Sequence, residues 1–211
     1  MVSTKDLLTI LRCMAAAIEK NKEWLTDLDR PIGDSDHGIN MARGFGEVEK
    51  KLSGLEGKDG GTILKTVGMT LVSTVGGSAG PLYGSAFMKA GMALTDKTEI
   101  SMADFLDALD QAVDAVRQRG KAQAGEKTML DAMIPALQAM KEARGQNEAP
   151  EEILKKGVEA SWAGAEATKG LIATKGRASY VGERGIGHQD PGATSFSILL
   201  ETICHCKIGK L

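Results

Sequence analysis

Apolar residues recur at spacings of three and four along most of this chain, and that period predicts helices. Leu7, Leu8, Leu11, Met14, Ala15 and Ile18 form the first stripe, in a segment over residues 3–26. Ser3 stands as its N-cap, with Asp6 three residues on. Residues 40–52 resume the spacing through Met41, Phe45 and Val48, and residues 62–74 through Ile63, Leu64, Val67 and Leu71. Pro81 suits the first turn of a helix reaching Leu94. Ser101 begins another through Phe105, Leu109, Ala112 and Val116. Segments 128–143, 151–174 and 193–206 bring the expected number to about eight. Almost nothing alternates with the period of a strand, so the fold class is all-α. No repeat, linker or low-complexity tract interrupts the chain, which reads as a single domain over residues 1–211.

Composition narrows the functions available. The chain is 42% hydrophobic and 26% charged with a net charge of -2, an ordinary globular profile. That balance offers no basic surface for nucleic acid. No apolar run approaches the ~18 residues of a membrane span. Residues 1–6 are polar and lack a signal-peptide pattern. Three cysteines, Cys13, Cys204 and Cys206, are an odd number, read as free thiols in a reducing cytoplasm.

Chemistry concentrates between the helical segments. Asp29-Arg30-Pro31-Ile32-Gly33-Asp34-Ser35-Asp36-His37-Gly38 holds three aspartates and a histidine in ten residues. Carboxylates crowded into a turn repel unless a cation sits between them. One of Asp34 and Asp36 capping the next helix is the bland alternative. An EF-hand fails on counting: from Asp34, position 5 is Gly38, position 6 is Ile39 and position 12 is Phe45. Mg²⁺ with a phosphate is the better expectation. Gly76-Gly77-Ser78-Ala79-Gly80 opens a helix, where exposed N–H groups and the helix dipole attract anions.

Other stretches are weaker. Gly120 to Thr128 resembles a Walker loop, but Glu126 breaks the Gly-Lys-Thr sequence and a helix, not a strand, precedes it. The loop over residues 175–192 is long and polar, and Arg177 and Arg184 there suit phosphate pairing. Asp190 or Thr194 is placed to cap the last helix. Cys204-His205-Cys206 lacks the further ligand a closed zinc site needs.

Four stretches together, LDRPIGDSDHGINMARGF, GMTLVSTVGGSAGPLYG, RGKAQAGEKTMLDA and KGRASYVGERGIGHQDPGATS, resemble the nucleotide-binding L subunits of bacterial dihydroxyacetone kinases. The resemblance implies a closed barrel of about eight antiparallel helices, with the nucleotide site in the loops at one end. It implies two Mg²⁺ ions on Asp29, Asp34 and Asp36. It implies ADP or ATP contacts from His37, Gly38, Ile39, Asn40, Ser78, Ala79, Gly120, Met129, Arg177, Asp190, Pro191 and Gly192. Implied partners are a K subunit that holds dihydroxyacetone and a phospho-histidine M subunit of the phosphotransferase system. No covalent intermediate is expected on this chain, and a homodimer stays open. An ATP-dependent kinase for dihydroxyacetone or another small ketose, and a regulatory L-like protein, are the alternatives.

Overall fold

A computed structural model of the chain describes residues 1–208. Among them nine α-helices run in order: α1 (Thr4–Lys20), α2 (Lys22–Asp29), α3 (His37–Leu52), α4 (Gly60–Thr74), α5 (Ala79–Ala93), α6 (Met102–Gly120), α7 (Leu130–Gly145), α8 (Pro150–Ala167) and α9 (Pro191–Ile208). The ninth arises because the first expected helix is broken. At Asn21 the backbone leaves helical geometry (φ -99°, ψ 8°). Its side-chain amide donates to the Ala17 carbonyl at 2.8 Å, which closes α1 and lets α2 start in a new direction.

Caps fix the other boundaries. Ser3 with Asp6, and Ser101 with Asp104, form reciprocal capping boxes at the starts of α1 and α6. Asp59 accepts from the Thr62 N–H and starts α4. Lys121, left-handed at φ 48°, ends α6, so Gly120 is the last helical residue and not the first of a loop. α8 stops at Ala167, short of the expected 174; a 3₁₀ turn over Thr168–Gly170 follows. The late loop contains two more 3₁₀ turns, Arg177–Tyr180 and Gly182–Gly185. The sole pairing of strands among the described residues is β1 (Val2–Ser3) against β2 (Glu99–Ile100), antiparallel, tying the chain start to the start of α6.

From α3 onward each helix packs on the next, and α9 packs back on α1, which also lies against α3. α2 sits outside this sequence, against α3 and α9. The Trp24 ring on α2 stacks on Trp162 of α8, with centroids 6.1 Å apart. α4 and α5 approach backbone to backbone: a Cβ at Gly68 would come 2.7 Å from the Gly84 carbonyl, and one at Gly84 2.9 Å from that of Gly68. The main core draws on all nine helices, with Ile18, Phe45, Leu71, Leu130 and Met140 essentially inaccessible. It is not solid. An apolar cavity of about 220 Å³ runs between α1, α5, α6 and α9, with Ala86, Ala108 and Ala112 on its wall.

Candidate functional site

The acidic turn is built around Asp29. α2 ends on this residue, which is only 8% exposed. Its Oδ2 accepts from the backbone N–H of Asp36 at 3.0 Å and of His37 at 3.3 Å, the start of α3. Asp29 therefore supplies the helix-terminal acceptor, while Asp36, at the N-cap position, makes no side-chain capping bond. The bland alternative, Asp34 or Asp36 as the cap of this helix, is therefore not what the structure contains. Gly33 is required here: its N–H donates to the Asp29 carbonyl at 2.6 Å, and any Cβ would land on the Asp29 carboxylate. Ser35 takes a left-handed φ of 61°, and Ile32, 2% exposed, pins the turn to the interior.

Freed from capping, the other two carboxylates turn toward the first. Asp29, Asp34 and Asp36 each offer an oxygen, all within 4.8 Å of one another. No other group of three metal-ligating side chains converges this way among the described residues. Three hard oxygen donors on one turn fit a divalent cation such as Mg²⁺. Arg177, from the late loop, donates from Nε to Asp34 Oδ2 at 2.8 Å, and its side chain is two-thirds exposed.

His37 begins α3 and points into the molecule. Its Nε2 lies 3.0 Å from the Ser195 hydroxyl, which lies 2.7 Å from the Tyr83 hydroxyl. Both hydroxyls also reach the Gly192 carbonyl, Ser195 at 3.1 Å and Tyr83 at 3.4 Å. One polar chain thus joins α3, α5 and α9. Burial holds the His37 imidazole down at about 4 against the opposing pull of Asp29, so it is neutral near pH 7.

The glycine loop lies beside this turn. Asn40 accepts from Arg43 Nη2 at 2.6 Å, and Arg43 Nε donates to the Thr74 carbonyl at 2.8 Å, linking α3 to the end of α4. A Cβ on Gly76 would come within 3.0 Å of the Asn40 amide. Gly77 turns through φ 62°, and α5 then starts at Ala79 after Ser78 without a side-chain cap.

The last cluster gathers residues distant in sequence. Gly192 lies against Met129, while Gly120 at the end of α6 lies against Leu82 of α5. Asp190 accepts from the Ala193 N–H at 2.7 Å, so the expected cap of α9 is present and the helix begins at Pro191. Protein packed around its carboxyl, with Asp131 and Asp29 nearby, raises Asp190 to about 7, against the pull of the Ala193 N–H and Lys127. Gly185 packs on Ile32, which brings the late loop to the acidic turn.

The contacts connect the acidic turn, Asn40, the glycine loop, Met129, Arg177 and residues 190–192. Ile39 stands 46% exposed on the first turn of α3. Arg184 is exposed in its 3₁₀ turn, and no hydrogen bond or ion pair among the described residues joins it to the acidic turn. His205 is exposed beside buried Cys204 and makes no metal cluster. Tyr83, Ser195, Arg43, Thr168, Asp131 and Lys127 escaped sequence reasoning. Tyr83 carried the one readable hint: a phenol buried in a helix needs a partner for its hydroxyl.

The fold and acidic turn define a helical domain with a carboxylate clasp, and comparison gives it a family. The DAK2 domain matches residues 31–205. The chain belongs to this family. It is 46% identical, over 92% of its length and 90% of the relative's, to PEP-dependent dihydroxyacetone kinase 2, ADP-binding subunit DhaL, of Listeria innocua. It is 43% identical, over 86% of each chain, to the PEP-dependent dihydroxyacetone kinase ADP-binding subunit DhaL of Escherichia coli. Among solved structures, the dihydroxyacetone kinase from C. freundii in complex with AMP-PNP and Mg²⁺ superposes with a TM-score of 0.73 at 25% identity, over 94% of this chain and 33% of that one.

Proposed function

We propose that this chain is the nucleotide-carrying subunit of a dihydroxyacetone kinase. ADP held here is phosphorylated in place by the phospho-histidine M subunit: a P–O bond forms to the ADP β-phosphate as the P–N bond breaks. The phosphoryl group then passes to dihydroxyacetone on the K subunit, giving dihydroxyacetone phosphate. The observation that carries this reading is the convergence of Asp29, Asp34 and Asp36 at the start of α3. The names of the relatives, ADP-binding subunits of PEP-dependent kinases, support the nucleotide and the dependence on phosphoenolpyruvate.

In this reading Asp29, Asp34 and Asp36 hold two Mg²⁺ ions, which when bound neutralise phosphate charge and stabilise the transferring group. Gly38, Ile39 and the Ser78–Ala79 start of α5 offer backbone N–H groups to phosphate oxygens, with His37 and Asn40 beside them. Neutral His37 adds no charge of its own. Arg177 is exposed and within reach of anionic groups beside Asp34. Gly120, Met129 and residues 190–192 line the remainder of the nucleotide. The reading includes a single domain, a closed barrel of about eight antiparallel helices with the site at one end and a cytoplasmic setting. The return of α9 to α1 supports the barrel.

The test is to denature protein purified without added nucleotide and to chromatograph what is released. ADP in near-equal amount is expected, together with dihydroxyacetone phosphate formation only when K, M and phosphoenolpyruvate are supplied. Empty protein that turns over free ATP with K would replace the PEP-linked mode with an ATP-dependent one.

A further inference from the structure

The Walker-like segment has no phosphate role in the reading above, yet it contains the charged side chain with the least exposed surface among the described residues. Lys127 is 1% exposed. Its backbone is left-handed at φ 58°, which an L side chain rarely adopts. In a Walker loop the lysine reaches out to a phosphate; here the backbone turns it inward. Its Nζ donates to the Thr168 carbonyl at 2.6 Å and to the His188 carbonyl at 2.5 Å. Both acceptors are main-chain atoms on separate segments, one at the end of α8 and one in the late loop. An apolar side chain here would leave those carbonyls without this donor.

The surroundings extend the link on both sides. Thr168, fully buried, accepts from the Asp190 N–H through its hydroxyl at 2.9 Å. Asp131, 8% exposed, accepts from the Gly125 and Thr128 N–H groups and braces the loop on which Lys127 sits. Asp131 and Asp190 are the carboxylates whose charge bears on the ammonium. Two residues beyond Lys127, Met129 lies against Gly192.

We propose that Lys127 is a positioning residue for the nucleotide: its ammonium, bridging the Thr168 and His188 carbonyls, fixes the loop that carries Met129 against the loop that carries Asp190, Pro191 and Gly192. The role rests on the nucleotide reading above. It differs from simple charge neutralisation because the bonds run to carbonyls of two segments and not to carboxylates.

The experiment titrates MgADP calorimetrically into nucleotide-stripped wild-type protein, Lys127→Met and Thr168→Val, with hydrogen exchange recorded on each. Lys127→Met is expected to weaken MgADP at least tenfold. Its amide exchange should rise within residues 121–129 and 186–192 while α1 and α3 exchange as in the wild type. Thr168→Val keeps the carbonyl but loses the hydroxyl that accepts from Asp190; it should weaken MgADP about threefold while remaining folded, with a lowered melting temperature. It carries the test if Lys127→Met does not fold. Lys127→Met that binds MgADP within threefold of wild type, or that exchanges faster throughout, overturns the proposal, as does Thr168→Val with wild-type affinity if it stands alone. Wild-type protein that binds no MgADP sinks the nucleotide reading itself; the local exchange pattern then decides alone whether Lys127 joins the two loops.

Discussion

Asp29 does two things at once, and the two can be separated by substitution. Its carboxylate accepts from the first N–H groups of α3 and also stands within the cluster of three. Asp29→Ala should lower stability by about 1 kcal/mol in EDTA, the usual worth of a helix cap, and by more in Mg²⁺, where it also removes a ligand of the ion. Asp36 makes no such bond, and Asp34 already pairs with Arg177. Asp36→Asn therefore only removes repulsion when no cation is present. In EDTA it should raise stability by roughly 0.5–1 kcal/mol. In Mg²⁺ the order should invert, because the wild type gains a bound ion and the variant does not. Thermal melts in both buffers check this; a variant less stable than wild type in EDTA would contradict it. Asp190 supplies a second residue-scale test. Its folded carboxyl titrates near 7 against an ordinary 3.8, so the folded protein keeps a proton that the unfolded chain loses. That contribution is fully present below pH 4 and is lost as pH rises through 7. Lys127, Asp131 and Asp29 are the charged groups that bear on it. Asp190→Asn cannot lose the proton. In EDTA its stability relative to wild type should climb between pH 4 and 7, by at most about 1.4 kcal/mol per pH unit, and level off above. Urea denaturation across that range measures it. The aspartates of the clasp were legible because they crowd one short turn. The state of Asp190 was not, because Asp131, Lys127 and Asp29 come to it from elsewhere in the chain.

Helix existence was legible and helix ends were less so. The stripes of Ile18, Phe45, Leu71 and Met140 predict helices that the core confirms. Reciprocal caps at Ser3 and Ser101 start α1 and α6 where the sequence places them. Asn21 was missed because one polar residue in an otherwise helical period gives no sign that its amide will close the preceding helix. Segment 168–174 reads as a continuation of the helix, with Gly170 the one signal against it; the chain leaves the helix where Thr168 turns its hydroxyl to Ala165 and Asp190. The α4–α5 contact exposes a conflict between local and tertiary preference. Alanine favours a helix over glycine by about 1 kcal/mol. At Gly68 the added methyl would meet the Gly84 carbonyl at 2.7 Å and the Met88 backbone nitrogen at 2.8 Å. Backbone cannot give way as a flexible side chain can, so packing should win. Gly68→Ala is expected to destabilise by about 1–3 kcal/mol net, read from urea denaturation. A gain in stability would mean that α4 and α5 are free to separate.

At the scale of the molecule, helices packed in succession with α9 returning to α1 enclose space that their side chains do not fill. The chain has only four phenylalanines, two tyrosines and two tryptophans, and Trp24 with Trp162 is spent on the α2–α8 contact. Alanines instead face the interior at 86, 108 and 112, which brings the helices close but leaves the cavity of about 220 Å³. No feature of the linear sequence announces a void, because it depends on how many helices share one axis. The cavity wall includes Tyr83 and Met129, so it reaches the underside of the candidate site. Filling it from α6, with a residue outside the candidate site, separates stability from binding. Ala112 on α6 is 7% exposed and lines the cavity. Ala112→Leu adds apolar volume on the cavity wall, and cavity-filling changes of this kind add roughly 0.5–2 kcal/mol. The expected result is a higher urea midpoint with an unchanged denaturant slope, and MgADP affinity equal to wild type. A fall in stability would show that Ala112 is set by helix approach and not by the space beside it. A loss of affinity with stability intact would show instead that the packing of α6 governs the site through Gly120 at its end.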